Sequence, residues 1–296
     1  MKAPPVGRGF RLFDGFRLYT VSPRRVECRI KEKKCGAMSM PDEAIWYLEY
    51  HIAVDRPGLL GDVASLIGML SINIHTISGV DARRRGLLIE CADEEKLELL
   101  ARFLHVMPNI TVTALRRPTL LDRLAIRHGR YVEQDARDRK TFRFLRDDLG
   151  LLVDFLGEIL KHEPAPLIGV RGSPRVGKTE AAVAASVYAG KRWIVVSSTL
   201  LRQTMRTSLL PMERDADAVY LIDAMVTFYR GTEEHQAFVR ELLRSPRPKI
   251  VEHPDVLVHE TEWTWNDFDY VIEIRTHPGE AIATSLHELR ERSGDF

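Results

Sequence analysis

The eight residues "GSPRVGKT" at 172–179 constrain the fold of this chain more than any other stretch. They match the pattern G-x-x-x-x-G-K-[ST], with Gly172, Gly177, Lys178 and Thr179 at its fixed positions. The hydrophobic run "LIGVR" precedes them and the alanine-rich run "EAAVAASVYAG" follows. A strand that turns in this way into a helix directs backbone N–H groups at one point, where they bind phosphate oxygens. The pattern therefore predicts a phosphate-binding loop in an α/β domain.

Each residue type in this loop has a separate task in phosphate binding. The glycines permit a tight turn, Lys178 would place its charge against the β- and γ-phosphates, and the Thr179 hydroxyl would bind Mg²⁺. The expected cofactor is ATP or GTP with Mg²⁺, and no base-reading motif separates the two nucleotides. The predicted nucleotide contacts are the eight consecutive residues Gly172, Ser173, Pro174, Arg175, Val176, Gly177, Lys178 and Thr179.

A second acidic element follows the loop along the chain. In "DAVYLIDAM" four apolar residues lead into Asp223, a pattern that resembles a Walker B strand, whose carboxylate holds Mg²⁺ through water. Further strands are predicted at 192–198, 249–253 and 268–275, with helices at 200–210, 226–244 and 277–292. This alternation predicts that residues 166–296 form a mainly parallel sheet of about five strands. The chain order resembles the additional-strand class of P-loop proteins, in which the Asp strand is third.

The residues that would catalyse hydrolysis are less clearly marked. The additional-strand class usually has Glu directly after the Walker B Asp, but this chain has Ala224, so fast turnover is not predicted. The candidates for orienting water or neutralising transition-state charge share only their predicted nearness to the loop: Glu252, Ser197, Ser198, Arg175, Arg202 and Arg206. For each of them a structural role is the alternative. His253 and His259, with Glu252 and Glu260, form a cluster that has no recognised metal spacing.

Residues 44–117 predict a separate small domain. "IWYLEYHIAV" alternates with period two, and "DRPGLLGDVASLIGML" then changes to helical spacing. Two more strands, a second helix and the strand "NITVTAL" complete a βαββαβ order, which is the ferredoxin-like α+β arrangement. The strand, the loop "DRPGLL", the helix and the following "INI" together resemble the ACT family of ligand-sensing domains.

The resemblance to ACT domains implies a ligand and a partner. In that family amino acids bind near this loop, at an interface between paired domains, which implies a homodimer here. The free N–H groups of a helix N-terminus would hold a carboxylate. The residues implied as ligand contacts are Asp55, Pro57, Gly58, Leu59, Leu60 and Asn73. The alternative is a domain that dimerises and binds no ligand.

Two basic segments lie outside these domains. The first, within an arm at 1–43 that we expect to be disordered, has ten Lys and Arg against three acidic residues in 1–37. The arm is also explained by an over-extended gene start, because Met38 and Met40 precede the first patterned strand. The second, at 118–165, is interpreted as a basic and helical connector. A surface for nucleic acid or for the phosphates of the nucleotide is its alternative, although no recognised nucleic-acid fold accompanies the charge.

Hydropathy and cysteine content predict the compartment. No window contains 18 uninterrupted apolar residues, and the N-terminal arm has no apolar h-region, so neither a membrane span nor a secretory signal is predicted. The three cysteines are odd in number and lack metal-ligand spacing, which is typical of a reducing compartment. We therefore expect a cytoplasmic protein.

The whole layout from about 45 to 275 resembles an uncharacterised family of Bacillus-type bacteria that joins an ACT domain to a P-loop domain. The resemblance implies a domain architecture and does not identify a reaction. The leading hypothesis is a ligand-regulated nucleotide-binding protein that acts as a slow NTPase switch. The alternatives are a small-molecule kinase, which would require a phosphate acceptor, and a non-hydrolysing regulator that binds nucleic acid.

Overall fold

The computed structural model describes residues 44–199, 201, 204–214 and 217–282. The predicted arm at 1–43 lies outside them. The described residues form two compact units. The first unit holds 44–77 and 87–118, and the second holds 78–86 together with the residues from 119 onward.

The first unit contains two helices and most of a four-stranded antiparallel sheet. Their bounds in chain order are β1 (Ile45–Ile52), α1 (Leu59–Met69), β2 (Asn73–Gly79), β3 (Arg84–Glu90), α2 (Glu94–Val106) and β4 (Ile110–Arg116). Only the end of β2 and the start of β3 fall within 78–86 of the second unit. The strands lie in the order β2-β3-β1-β4. The predicted βαββαβ arrangement is therefore confirmed.

The core of this unit follows from the sequence periodicity. Leu48 and Tyr50 of β1 pack against Val63 and Ile67 of α1 and Leu100 of α2 within one buried cluster. Burial of each such aliphatic side chain contributes roughly 1.5–3 kcal/mol. The period of two in β1 thus places Leu48 and Tyr50 on the side of the helices, whereas Tyr47 and Glu49 on the opposite face are buried as well.

The second unit is built around a seven-stranded sheet. Its elements in chain order are α3 (Leu120–His128), β5 (Glu133–Gln134), β6 (Thr141–Leu145), α4 (Leu149–His162), β7 (Leu167–Gly172), α5 (Lys178–Tyr188), β8 (Arg192–Ser197), β9 (Ala218–Asp223), α6 (Ala224–Arg230), α7 (Glu233–Arg244), β10 (Lys249–Glu252), α8 (Pro254–Glu260) and β11 (Tyr270–Arg275). The strands lie in the order β5-β6-β11-β7-β10-β9-β8. β5 is antiparallel to β6, and the other neighbouring pairs are parallel.

The sheet has two strands more than the five expected, because the segment interpreted as a connector supplies β5 and β6. Phe142 and Phe144 of β6 are buried, while Arg143 between them forms ion pairs with Asp135 and Glu273. Arg143 is therefore neutralised within the fold and does not mark a solvated basic surface. Residues 166–296 thus supply the five strands expected of them, and the interpretation of 118–165 as a connector outside the sheet is corrected.

The helices expected after the loop also differ in detail. The described residues between 201 and 210 do not form the α-helix predicted at 200–210. The helix predicted at 226–244 is divided into α6 and α7 at Gly231 and Thr232, where Thr232 caps α7 by accepting from His235 N. None of the described helices is both long enough and apolar enough to cross a membrane.

The sheet separates two hydrophobic cores, and the loop at 172–179 lies at the edge formed by the carboxyl ends of its parallel strands. Phe155 of α4 and Ala182 of α5 belong to the cluster on one face, and Val239 of α7 and Val256 of α8 to the cluster on the other. The carboxyl ends of parallel strands meet at the same edge of a sheet, which is where such folds bind ligands. The loop at 172–179 follows β7 at this edge, beside the ends of β9 and β10.

Candidate functional site

The loop between β7 and α5 depends on backbone conformations that favour glycine. Gly172 has φ 148° and Gly177 has φ 102°. A Cβ at Gly172 would lie 2.5 Å from the carbonyl oxygen of Ile274, so a side chain does not fit there. Arg175, inside the loop, also has a positive φ of 62°. The loop is therefore held in a tight turn that a non-glycine residue at 172 would strain.

Lys178 is the buried cation of this loop. Its side chain is 7 % exposed, and Nζ donates hydrogen bonds of 3.0 Å to the carbonyl oxygens of Gly172 and Ser173. Burial lowers the pKa of Lys178, and the charges of Glu252 and Asp223 act in the opposite direction. The amine thus lies in a buried site that contains two carboxylates.

Glu252 and Asp223 lie side by side because β9 and β10 pair in parallel register. Asp223 is the register partner of Glu252, and both are buried. Thr179, in the first turn of α5, donates a hydrogen bond of 2.5 Å from Oγ1 to Glu252 Oε1. Burial and the charge of Asp223 raise the pKa of Glu252 to about 7, and burial also raises the pKa of Asp223. Lys178, Thr179, Asp223 and Glu252, all singled out from the sequence, therefore come together.

Asp223 is positioned by the chain around it. Its Oδ1 accepts a hydrogen bond of 3.1 Å from Val226 N, which caps α6. Ser197 Oγ donates to the Asp223 carbonyl oxygen at 3.0 Å and accepts from the Asp223 N–H at 2.9 Å. Ser197 also bonds Thr227 Oγ1 at 2.9 Å. Ser197, considered from the sequence as a group that approaches the γ-phosphate, instead holds the backbone of Asp223.

His253 is a further titratable side chain at this edge. One potential ligand atom from each of Asp223, Glu252 and His253 lies within 4.8 Å of the others. Burial and the positive charge of Lys178 lower the pKa of His253 to about 3, so its imidazole is neutral at physiological pH.

The sequence signal for this cluster was the pair Glu252–His253 at the end of a predicted strand. Spacing alone did not identify Asp223 as the third member of the cluster. His259, which the sequence analysis grouped with His253, is exposed and bonds to Glu260 at 3.1 Å. The structure therefore separates the two histidines of that group.

Two further side chains contact the loop and were not found from the sequence. Arg146 donates to the carbonyl oxygen of Arg175 at 2.9 Å. Ser173 Oγ donates to Glu280. Burial alone would raise the pKa of Glu280, but hydrogen bonds from Ser173 and Thr276 lower it to about 2. Both Arg146 and Glu280 are distant from the loop along the chain, so no local pattern marks them.

Two of the three arginines predicted as candidates for catalysis lie among the described residues and differ in their positions and contacts. Arg175 lies in the loop, where its carbonyl oxygen bonds Arg146. Arg206 forms an ion pair with Glu213. Arg202 lies outside the described residues.

A cavity of about 260 Å³ lies near the end of β8. It is lined by Ser198, Thr199, Met205, Val226 and Arg230. Backbone N–H groups of two of these residues, Val226 and Thr199, bond the carboxylate of Asp223. The cavity therefore adjoins the cluster described above.

The residues implied as ligand contacts in the first unit surround the N-terminus of α1. Gly58 is the N-cap, with φ 83° and no side-chain cap. Leu59 is buried in the core, so its side chain faces away from solvent. Asn73 donates to Glu90 at 3.4 Å. The remaining implied contacts are exposed: Asp55, Pro57, Gly58 and Leu60. Their binding of a ligand stays a prediction.

Comparison with known protein families identifies the family to which the chain belongs. A family model described as "Protein of unknown function (DUF3388)" matches residues 112–294. The chain belongs to the DUF3388 family. The match includes the loop at 172–179, Asp223, Glu252 and His253, whereas the loop at 55–60 precedes it.

One relative matches a longer part of the chain than the family model does. The chain is 56% identical over 237 residues to "Uncharacterized protein YmfK" of Bacillus subtilis (strain 168), which covers 80% of this chain and 88% of that protein. The resemblance to an uncharacterised Bacillus-type family is therefore confirmed. Neither description names an ACT or a P-loop domain, so the function is argued from the site itself.

Proposed function

We propose that the second unit binds a Mg²⁺–nucleotide, ATP or GTP, through the loop at 172–179, and that the protein is a slow NTPase switch. The observation that carries the proposal is the meeting of a buried lysine, Lys178, with two buried carboxylates, Asp223 and Glu252, at the carboxyl edge of a parallel sheet. The hydrogen-bond partners of these charged groups are neutral, namely carbonyl oxygens, a hydroxyl and a backbone N–H, so a phosphate with its cation would supply charged partners in their place.

The strand order supports this assignment. β10 follows β9 in the chain, yet it lies between β7 and β9 in the sheet. This order resembles that of the additional-strand class of P-loop proteins, in which the loop strand and the Asp strand are separated by one strand. The order alone is a likeness of fold, so the proposal depends on the side chains at the edge.

The side chains present fit the cation as well as the phosphates. The Thr179 hydroxyl and, through water, the Asp223 carboxylate would hold Mg²⁺, which prefers oxygen ligands. When bound, Mg²⁺ would neutralise charge on the β- and γ-phosphate oxygens. Lys178 would exchange its carbonyl partners at Gly172 and Ser173 for phosphate oxygens. The buried Asp223 and Glu252 carboxylates supply the negative charge that such a cation needs.

Slow turnover is part of the proposal. Ala224 follows Asp223, so no carboxylate lies where the additional-strand class usually places one. Glu252 is the remaining buried acid of the site, and its pKa of about 7 suits a general base near neutral pH. Thr179 donates to Oε1 of Glu252 and lowers the pKa of that carboxyl, so the hydrogen bond makes Glu252 a weaker base. This weaker basicity would limit the rate.

The first unit would regulate the switch. We propose that it acts as an ACT-type sensor of an amino acid or a similar metabolite and as the homodimerisation domain of a cytoplasmic protein. The exposed turn at Asp55, Pro57 and Gly58 leads into the N-terminus of α1, where N–H groups are available to a carboxylate. Coupling would require that the ligand binds two states with different affinity.

A small-molecule kinase is the second candidate function, and the cavity beside Asp223 favours it. Arg230 lines this cavity, is exposed, and has no hydrogen-bond or ion-pair partner among the described residues. An anionic acceptor would bind there, next to the transferred phosphate. The nucleic-acid alternative has less support, because Arg127, Arg130 and Arg143 of the basic segment already form ion pairs.

The test is calorimetry with Mg²⁺–ATP and Mg²⁺–GTP on the intact protein and on Lys178→Met, followed by phosphate release on the same samples. Lys191→Met is the matched control, because burial also lowers the pKa of Lys191 at the other end of α5. We expect binding that Lys178→Met loses and Lys191→Met retains. Release without an acceptor supports the switch, and binding without release supports the kinase or the non-hydrolysing regulator. Absence of binding, or equal binding by Lys178→Met, would overturn the nucleotide proposal.

A further inference from the structure

We infer that Asp223, Glu252 and His253 form a mixed oxygen and nitrogen site that prefers a divalent first-row transition-metal cation over Mg²⁺. The inference rests on the same carboxylates as the proposed function and concerns the nucleotide-free site, before Asp223 holds Mg²⁺ through water or Glu252 accepts a proton. It does not require bound nucleotide, so the two fail separately.

The geometry brings the three side chains within reach of one ion. Glu252 and His253 are consecutive at the end of β10, and Asp223 is the register partner of Glu252 on β9. Their ligand atoms lie within 4.8 Å of one another. Metal–ligand bonds of about 2.0–2.2 Å place neighbouring ligand atoms roughly 3–4 Å apart. A small side-chain rotation is sufficient to close the site.

The backbone at His253 is the second observation. Its φ is 56°, in the left-handed region that non-glycine residues seldom adopt. The conformation costs of the order of 1 kcal/mol, and such residues cluster at functional sites. The residue thereby interrupts the extended strand immediately before Pro254 begins α8.

The imidazole of His253 is available to a ligand. No described residue donates to it or accepts from it, although it lies beside two buried carboxylates. His235 of the same unit, by contrast, bonds the Arg206 carbonyl oxygen at 2.5 Å through Nδ1. Hydrogen bonds among the described residues therefore do not account for the position of the His253 imidazole.

The donor set indicates which cation would bind. Mg²⁺ prefers oxygen ligands, whereas an imidazole beside carboxylates suits Mn²⁺, Fe²⁺, Co²⁺ or Zn²⁺. The carboxylates are also oriented by neighbours, since Glu252 accepts from Thr179 and Asp223 accepts from Val226 N. Such supporting hydrogen bonds are typical of metal ligands. Two carboxylates against the single cation Lys178 leave a negative charge that a divalent ion neutralises.

Co²⁺ is the probe, because its visible absorption reports nitrogen coordination. Nucleotide-free protein is titrated with Co²⁺ and, separately, with Mg²⁺, by absorption and calorimetry. We expect one Co²⁺ per chain, bound at least about tenfold more tightly than Mg²⁺. Equal affinity for the two ions, or no Co²⁺ binding, would overturn the inference.

Two histidine variants identify the ligand. His253→Gly removes the imidazole and keeps a residue that tolerates the left-handed backbone, so folding is retained. We expect it to weaken Co²⁺ binding by about tenfold or more and to leave Mg²⁺ affinity within about twofold. His259→Gln, on the exposed side of the same helix region, should bind Co²⁺ as the wild type does. An unchanged Co²⁺ affinity in His253→Gly contradicts the inference.

The same samples keep this inference distinct from the nucleotide proposal. Nucleotide binding with Mg²⁺ is measured on wild type and on His253→Gly. If Co²⁺ binds through His253 and no nucleotide binds, the metal site stands and the nucleotide proposal fails. If nucleotide binds and Co²⁺ shows no preference over Mg²⁺, only the metal inference is overturned.

Discussion

Thr179 donates a hydrogen bond of 2.5 Å to Glu252, which joins the first turn of α5 to the end of β10. The contact connects the residue predicted to bind Mg²⁺ with the acid predicted to approach the γ-phosphate. Because Glu252 also lies opposite Asp223 in the parallel ladder, two carboxylates and a hydroxyl share one buried edge. Protonation of Glu252 is therefore coupled to the state of this site.

The first prediction concerns that protonation. The pKa of Glu252 in the folded protein is about 7, against an ordinary value of 4.5, because burial and the charge of Asp223 disfavour the charged form of the carboxyl. Between these pH values the native protein holds a proton that the unfolded chain has released. The free energy of unfolding of the ion-free protein should therefore fall as pH rises from 4.5 to 7. The contribution of Glu252 is at most about 3 kcal/mol.

Glu252→Gln removes this titration and retains an acceptor for Thr179. We expect the variant to match wild type near pH 4.5 and to exceed it in stability above about pH 7, as measured by urea unfolding in the presence of a chelator. If the difference between the two proteins is the same at every pH, Glu252 is not the group that titrates.

The second prediction concerns Arg146, which bonds the carbonyl oxygen of Arg175 and so supports the loop from outside. Arg146→Met should lower nucleotide affinity by about tenfold at most, because one hydrogen bond contributes roughly 0.5–1.5 kcal/mol. Calorimetry measures the effect. Arg244→Met is the control, since Arg244 is exposed and pairs with Glu262 at the end of α7. Equal losses in the two variants would show a general charge effect instead.

The third prediction concerns Gly172. Alanine at this position would place a Cβ 2.5 Å from the Ile274 carbonyl oxygen and 2.9 Å from Val176, with φ at 148°. We expect Gly172→Ala to lower the free energy of unfolding by roughly 2–4 kcal/mol. Gly150→Ala is the control in the same unit, because nothing lies within 4 Å of its Cβ position in α4. That variant should be neutral or stabilised by about 0.5 kcal/mol. Similar losses in both variants would contradict the steric argument.

What the sequence could predict was local. The strand, loop and helix at 167–188 follow from neighbouring residues, and so does the buried strand that ends at Asp223. The position of Glu252 beside Asp223 depends on β10 lying between β7 and β9, and no local spacing encodes that pairing. The nearness of His253 to Asp223 depends on the same pairing, and no local spacing encodes it.

The strand β6 shows a different limit of sequence reasoning. Its alternation of Phe142, Arg143 and Phe144 has the period of a strand, yet the basic residues around it indicated a solvated connector. Glu273 neutralises Arg143 from the neighbouring strand β11, 130 positions further along the chain. Charge compensation over such a separation becomes visible only when the strands are paired.

The last prediction concerns Ser197, whose side-chain hydroxyl bonds the backbone of β9 where the pairing of β8 and β9 is irregular. The register of these strands shifts between Val195 and Ser197, and the Ser197 hydroxyl bonds both the N–H and the carbonyl oxygen of Asp223. Ser197→Ala leaves these buried groups without that partner, at a cost of roughly 1–3 kcal/mol in the free energy of unfolding. Because they belong to Asp223, we also expect weaker Mg²⁺–nucleotide binding. Ser186→Ala is the control: Ser186 is equally buried, but its hydroxyl bonds only the Ala182 carbonyl oxygen within α5, and alanine is a better helix former. Urea unfolding measures the stability of the two variants, and calorimetry measures their nucleotide affinity. If Ser197→Ala matches Ser186→Ala in both, Ser197 does not hold Asp223 in place.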